Sequence, residues 1–118
     1  MWTLPRDFRP EIFVGRRLDQ ISIAEFTIFL VFEIDLEVVV ESSLAYTSPD
    51  GQTAESAAVP NVTPNMLSLV GKDVSASRVV GDASLEFSFA NGAKLIVVAE
   101  ENGYESYQIL TGSRTIVV

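Results

Sequence analysis

The sequence has no cysteine and no histidine. Without cysteine there is no disulfide frame, no thiol nucleophile and no thiolate metal site. Without histidine the usual general base near neutral pH and the commonest transition-metal ligand are both missing. Hydrolases built on a serine or cysteine paired with histidine are thereby excluded. Basic residues are scarce as well: 8 lysines and arginines face 16 aspartates and glutamates, for a net charge of −8 and an isoelectric point near 4.3. Such a surface repels phosphate backbones, so nucleic acid is not an expected partner. No apolar run approaches the ~20 residues of a membrane helix. The opening MWTLPRDFRPEIF also lacks the positive-then-apolar order of a secretory signal. The expectation is a soluble cytoplasmic protein with no membrane partner.

What is present describes one folded unit. At 118 residues, 47% hydrophobic and 20% charged, the chain has the size and composition of a single domain spanning residues 1–118. Its longest apolar run, Phe26 to Glu41, has the two-fold alternation of strands. Phe26, Ile28, Leu30 and Phe32 share one face, expected to point inward, while Thr27, Phe29 and Val31 share the other. Both faces are apolar, which predicts a central strand. After Glu33-Ile34-Asp35 a second strand restarts with Leu36, Val38 and Val40 inward and Glu37 and Glu41 toward solvent, and runs on through Leu44 to Tyr46. Ser48-Pro49-Asp50-Gly51 is a turn, because proline presets φ and glycine accepts positive φ. Residues 52–62 are small and polar and read as a loop.

Thr63-Pro64 supplies an N-cap and a first helical position, with Gly71 as the stop, predicting about two helical turns with Met66 to Val70 on the sheet. Further strands are expected at Val74 to Val80, Ser84 to Phe89, Ala93 to Ala99, Tyr104 to Leu110 and Arg114 to Val118. Asn91-Gly92 is the strongest hairpin signal. The terminal strand must be paired, since a bare apolar edge is adhesive. Trp2, Phe8 or Phe13 is expected to pack on the body, and the Arg16-Arg17 pair to be solvated or salt-bridged to it. The fold class is therefore mainly β, bordering on α+β: antiparallel hairpins in a curved sheet or open barrel with one short helix. FLVFEIDLEVVVES and EFSFANGAKLIVVAEE follow the same order of aromatic strand, turn, valine run and acid. A duplicated hairpin gives that order, and so does convergent patterning of two unrelated hairpins.

Carboxylates are the only plentiful reactive type. Glu33, Asp35, Glu37 and Glu41 cluster in the first hairpin, and Glu100, Glu101 and Glu105 follow the second. With Tyr104 and Tyr107 they form the candidate interaction surface. No phosphate loop, dinucleotide fingerprint or nucleophile elbow is present, so no cofactor, metal or catalytic residue is assigned. The preferred expectation is a non-enzymatic binding module that meets a basic protein through its acidic face. Its rivals are a metal-dependent hydrolase using converging carboxylates, and a small-ligand pocket within the curved sheet. Free strand edges and apolar second faces would also serve a homodimer.

The segment F-x-N-G-x-x-L at Phe89 to Leu95, followed by Tyr104-Glu105-Ser106-Tyr107-Gln108-Ile109, resembles an uncharacterised family of small bacterial proteins, a domain of unknown function. The opening L-D-Q-I-S-I through F-x-I-x-L-x-F-E is similar to the start of that family. The resemblance assigns no catalytic residues. Since similar small acidic proteins include immunity proteins that neutralise bacterial toxins, it implies an immunity-type role.

Overall fold

A computed structural model describes residues 4–100 and 105–118. A 3-10 turn, Pro10–Phe13, leads into β1 (Leu18–Ile23), β2 (Ile28–Phe32), β3 (Leu36–Val40), β4 (Ser43–Thr47) and β5 (Ala54–Ala58). One helical turn, α1 (Pro64–Leu67), precedes β6 (Val74–Val80), β7 (Ser84–Phe89), β8 (Lys94–Val98), β9 (Tyr107–Thr111) and β10 (Thr115–Val117). Among the described residues all pairing is antiparallel, in two open five-stranded sheets ordered β1-β2-β3-β9-β10 and β6-β7-β8-β4-β5.

The two strand orders are one pattern used twice. Each sheet begins with a three-strand meander and is completed by the hairpin that follows the other meander. The residues correspond in detail. Leu18 faces Phe32 as Val74 faces Phe89, and in both hairpins the register then slips, between Leu18 and Gln20 and between Val74 and Ala76. Leu30 faces Val38 as Phe87 faces Leu95, and Val40 faces Tyr107 as Val97 faces Leu44. The joint obeys the same rule: Gly15 N–H donates to Val74 O at 2.8 Å and Gly71 N–H to Leu18 O at 2.7 Å. Gly15 (φ +83°) and Gly71 (φ +89°) both occupy the left-handed region, which glycine adopts without a Cβ penalty. The isolated antiparallel bridge between Arg17 and Asp73 joins a residue to its own counterpart in that register. The echo between the two hairpins is thus part of a five-strand structural repeat.

Inward residues of both sheets form one core. Phe32 from β2 and Phe87 from β7 meet with ring centroids 5.3 Å apart, and Phe13 packs edge-on to both, at 5.3 and 4.7 Å. Such offset and edge contacts suit the aromatic quadrupole and add to area burial. Tyr107 on β9 is fully buried and its hydroxyl donates to Ala83 O at 2.7 Å, tying the first sheet to the β6–β7 turn. The last strand is paired as required, and Val118 N–H donates to Tyr107 O.

Several expectations are corrected. Phe26 does not point inward: it lies in the β1–β2 bend and is 73% exposed, because the strand begins only at Ile28. The run from Leu36 to Tyr46 is two strands, and at Glu41-Ser42 the chain leaves one sheet for the other. Residues 54–58 are strand β5 and not loop, since pairing with β4 outweighs their weak strand propensity. Thr63 Oγ1 does accept from Met66 N–H, but α1 is a single turn, with Met66 and Leu69 buried and Leu67 and Val70 exposed. The mainly β class holds, as antiparallel hairpins in two open five-stranded sheets packed on one core, and the sheets do not close into a barrel.

Candidate functional site

Alternation leaves each sheet an outer face. On the first sheet, two cross-strand rows lie there: Gln20-Val31-Glu37-Leu110-Thr115 and Ser22-Phe29-Val39-Gln108-Val117. On the second, the equivalent rows are Ala76-Ser88-Lys94-Thr47-Ala54 and Arg78-Glu86-Ile96-Ala45-Ser56. The repeat makes each face the control for the other. Where the second sheet has Ser88, Thr47, Ser56 and a Glu86 buried against Arg78, the first has Val31, Leu110, Val117 and Phe29. Where the second has Lys94, the first has Glu37. Phe29, Val31, Glu37, Val39, Leu110 and Val117 are half-buried among their neighbours and keep solvent contact, so the first sheet has an apolar outer face centred on a carboxylate. Contiguous apolar surface that keeps solvent contact marks interaction sites more often than scattered apolar residues do.

A cleft of ≈ 290 Å³ opens where this face meets the β2–β3 turn, between Val31, Asp35, Leu36, Glu37, Leu110 and Gly112. An adjoining cleft of ≈ 330 Å³ shares Asp35, Leu36, Thr111 and Gly112 and adds Ile12, Arg16, Ile34 and Ser113. The turn between them is strained. Ile34 (φ +61°) and Asp35 (φ +52°) both lie in the left-handed region, and for a β-branched residue this is a true outlier. Arg16 holds the turn there: its Nε donates to Ile12 O at 3.0 Å and its Nη1 to Glu33 O at 2.9 Å and to Ile34 O. Ile34 is also 76% exposed, so nothing in the core requires it. Replacing Ile34 with asparagine, which tolerates this backbone, is expected to stabilise the fold by ~1 kcal/mol. A lower melting temperature in I34N would show that the turn carries no such strain.

The carboxylates sort into two groups at opposite ends of β3. At the turn end, Glu33 accepts from Arg17 N–H at 3.1 Å and sits 3.8 Å from its guanidinium, which pairs more closely with Asp19 at 2.7 Å. The salt-bridged reading of Arg17 holds. Asp35 is exposed and Glu37 lies on the outer face, and both line the ≈ 290 Å³ cleft. At the far end, Glu41 is exposed beside the crossover, with its N–H on Ser106 O at 2.9 Å. Glu100 accepts from Ser43 Oγ at 2.9 Å, and its N–H donates to the buried Ser106 Oγ at 2.8 Å. Glu105 accepts from Gln108 Nε2 at 3.1 Å. Tyr107 is not part of any surface: its position on β9 faces the core, and burial raises its phenol well above the ordinary range. Glu101, Tyr104 and Trp2 lie outside the described residues. Among the described residues no three carboxylates gather in a metal-binding cluster. Sequence reasoning found Phe29 and Val31 on the second face but missed Leu110, Val117 and Arg16, whose roles depend on pairing across the chain.

Three other carboxyls are held below the usual range by donors. Arg114 hydrogen-bonds Asp7 through both guanidinium nitrogens, at 3.0 and 3.1 Å. Ser48 Oγ and Gln52 N–H act on Asp50, and Thr63 and Asn65 on Glu55. A folded-state pKa below the unfolded one contributes stability that is present above the unfolded value and lost as pH falls through the folded one. The melting temperature is therefore expected to hold down to about pH 4–5 and to decline below about pH 4. Thermal melts from about pH 2.5 to about pH 6 test this. Arg114→Ala should flatten part of the acid limb, and an unchanged limb would remove the Asp7 pair from the account.

No curated protein and no solved structure matches this chain. A family model matches residues 10–118, from the 3-10 turn through β10 and so across both sheets and the cleft. The chain belongs to the Family of unknown function (DUF6188).

Proposed function

We propose that this protein is a non-enzymatic binding module that meets a basic protein partner through the acidic side of its first sheet, in the manner of an immunity-type protein. One observation carries the reading: among the described residues no arginine or lysine pairs with Asp35, Glu37 or Glu41, although Arg17, Arg78 and Arg114 pair with other carboxylates. Uncompensated charge of one sign speeds encounter with a complementary partner and makes the association salt-sensitive. The scarcity of basic residues in the whole chain strengthens the field and leaves little to screen it internally. Cytoplasmic residence fits such a module.

The test is retention of basic proteins from a lysate on the immobilised chain at low salt, followed by binary titration of the purified retained protein. Support would be an affinity that falls with added salt and is lost when Asp35, Glu37 and Glu41 are all changed to lysine. Retention of no basic protein at low salt, or binding indifferent to both salt and charge reversal, would remove the proposal.

A further inference from the structure

Negative charge alone does not fix where on the molecule a partner sits or what it must carry. The repeat answers this through the difference between two faces built alike. Both sheets bury the same inward pattern, so folding alone would accept the polar outer face of the second sheet on the first. The first sheet instead carries Phe29, Val31, Leu110 and Val117, whose apolar side chains gain from removal from water. Glu37 stands in the middle of that face and Asp35 at its edge, both lining the cleft with Val31 and Leu110. Neither takes part in an ion pair within the described chain. Covering this face with an apolar surface alone would strand Glu37 in a dry interface without a partner, which opposes binding. A second copy packed face to face brings the same difficulty, because its own face offers another Glu37 and no cation.

We propose that the outer face of the first sheet docks an aliphatic surface of the partner whose central lysine or arginine enters the cleft between Val31 and Leu110 and pairs with Asp35 and Glu37. This rests on the binding-module reading and names the site and the partner's chemistry. The long apolar stem of lysine or arginine suits a cleft walled by Val31, Leu36 and Leu110, with the charge at its acidic rim. The second sheet, with Lys94 at the position of Glu37 and the Arg78–Glu86 pair (2.8 Å) at the positions of Ser22 and Phe29, would reject the same surface.

The experiment is a backbone-amide chemical-shift titration of the full chain with two capped peptides, acetyl-Ile-Lys-Ile-amide and acetyl-Ile-Glu-Ile-amide. The lysine peptide is expected to shift Val31, Asp35, Glu37, Leu110 and Gly112, with binding about tenfold weaker in the isosteric D35N/E37Q variant. The glutamate peptide should shift none of them. Shifts confined to the far pole near Glu41, Glu100 and Glu105, or lysine-peptide binding unaltered in D35N/E37Q, overturn the assignment. If Glu41→Lys abolishes binding of the basic partner while D35N/E37Q does not, the binding-module reading stands and this site falls. Sedimentation addresses the remaining occupant: a dimer that Leu110→Lys converts to monomer would give the face to a second copy and overturn the proposal.

Discussion

Phe87→Ala is expected to cost about 3–5 kcal/mol, the range for emptying a buried phenylalanine site, and to lower the melting temperature by about 10–20 °C. The reason is its place in the fold. Phe87 is fully buried on the second strand of its sheet, contacts Phe13 and Phe32, and so joins the 3-10 turn, the first sheet and the second. Removing the ring leaves two aromatic neighbours held by different elements, neither free to collapse into the gap. Against a total stability of about 5–15 kcal/mol, that loss brings the variant near the unfolding threshold. Two other phenylalanines calibrate the result. Phe29→Ala, on the outer face, should cost much less, and Phe26→Ala, 73% exposed in the β1–β2 bend, should fall within about 0.5 kcal/mol of the parent. Denaturant unfolding of the three variants gives the order, and a Phe26→Ala loss as large as that of Phe87→Ala would restore Phe26 to the core.

That series also marks where alternation informs and where it does not. The period of two along Phe26 to Phe32 is unbroken in the sequence, so parity assigns Phe26 to the inward face with Ile28. Parity contains no signal for where pairing starts. Here β2 begins at Ile28, opposite Ile23, and the residue two before it has already left the ladder. Strands bounded by strong punctuation were readable to the residue: Val74–Val80 and Ser84–Phe89 are flanked by Asp73, Gly81-Asp82 and the Asn91-Gly92 turn. In that turn Gly92 sits at φ +93°, which favours glycine, and a Cβ there would crowd Pro49 O at 3.2 Å. β5 escaped detection because Ala-Glu-Ser-Ala-Ala has little intrinsic strand preference and is held by its pairing with β4.

The site was half legible for a related reason. Glu37 outward, with Phe29 and Val31 on the second face of β2, follows from parity alone. Leu110 and Val117 join that face only because β9 pairs with β3, a contact between segments far apart in the chain. Tyr107 illustrates the converse. Its neighbourhood of Glu105 and Gln108 looked exposed, yet its partner in register is the buried Val40, and that fixes its direction. The strain at Ile34 had no sequence signature, since Glu-Ile-Asp is not a composition that demands positive φ.

Cutting the chain between Asn61 and Val62 is expected to leave one folded particle made of two fragments. The cut falls after β5 and before α1, in the connection between the two halves of the repeat. Neither half keeps its strands to itself. β9 pairs along β3 over five residues, and β4 pairs along β8 over five, so each sheet takes three strands from one half and two from the other. Separating the fragments would break both ladders, expose two apolar inner faces and strip the core around Phe32 and Phe87. An interface of that kind resembles a domain core cut in two and holds without a covalent link at micromolar concentration, although the loss of linkage lowers stability and makes it concentration-dependent. A protease site inserted at this point, followed by native size exclusion and then by denaturant, measures both properties. Co-elution at the parent volume, with separation only in denaturant, supports the exchanged arrangement. Fragments that part under native conditions would mean that each half completes its own sheet, and the strand orders β1-β2-β3-β9-β10 and β6-β7-β8-β4-β5 could not then be correct.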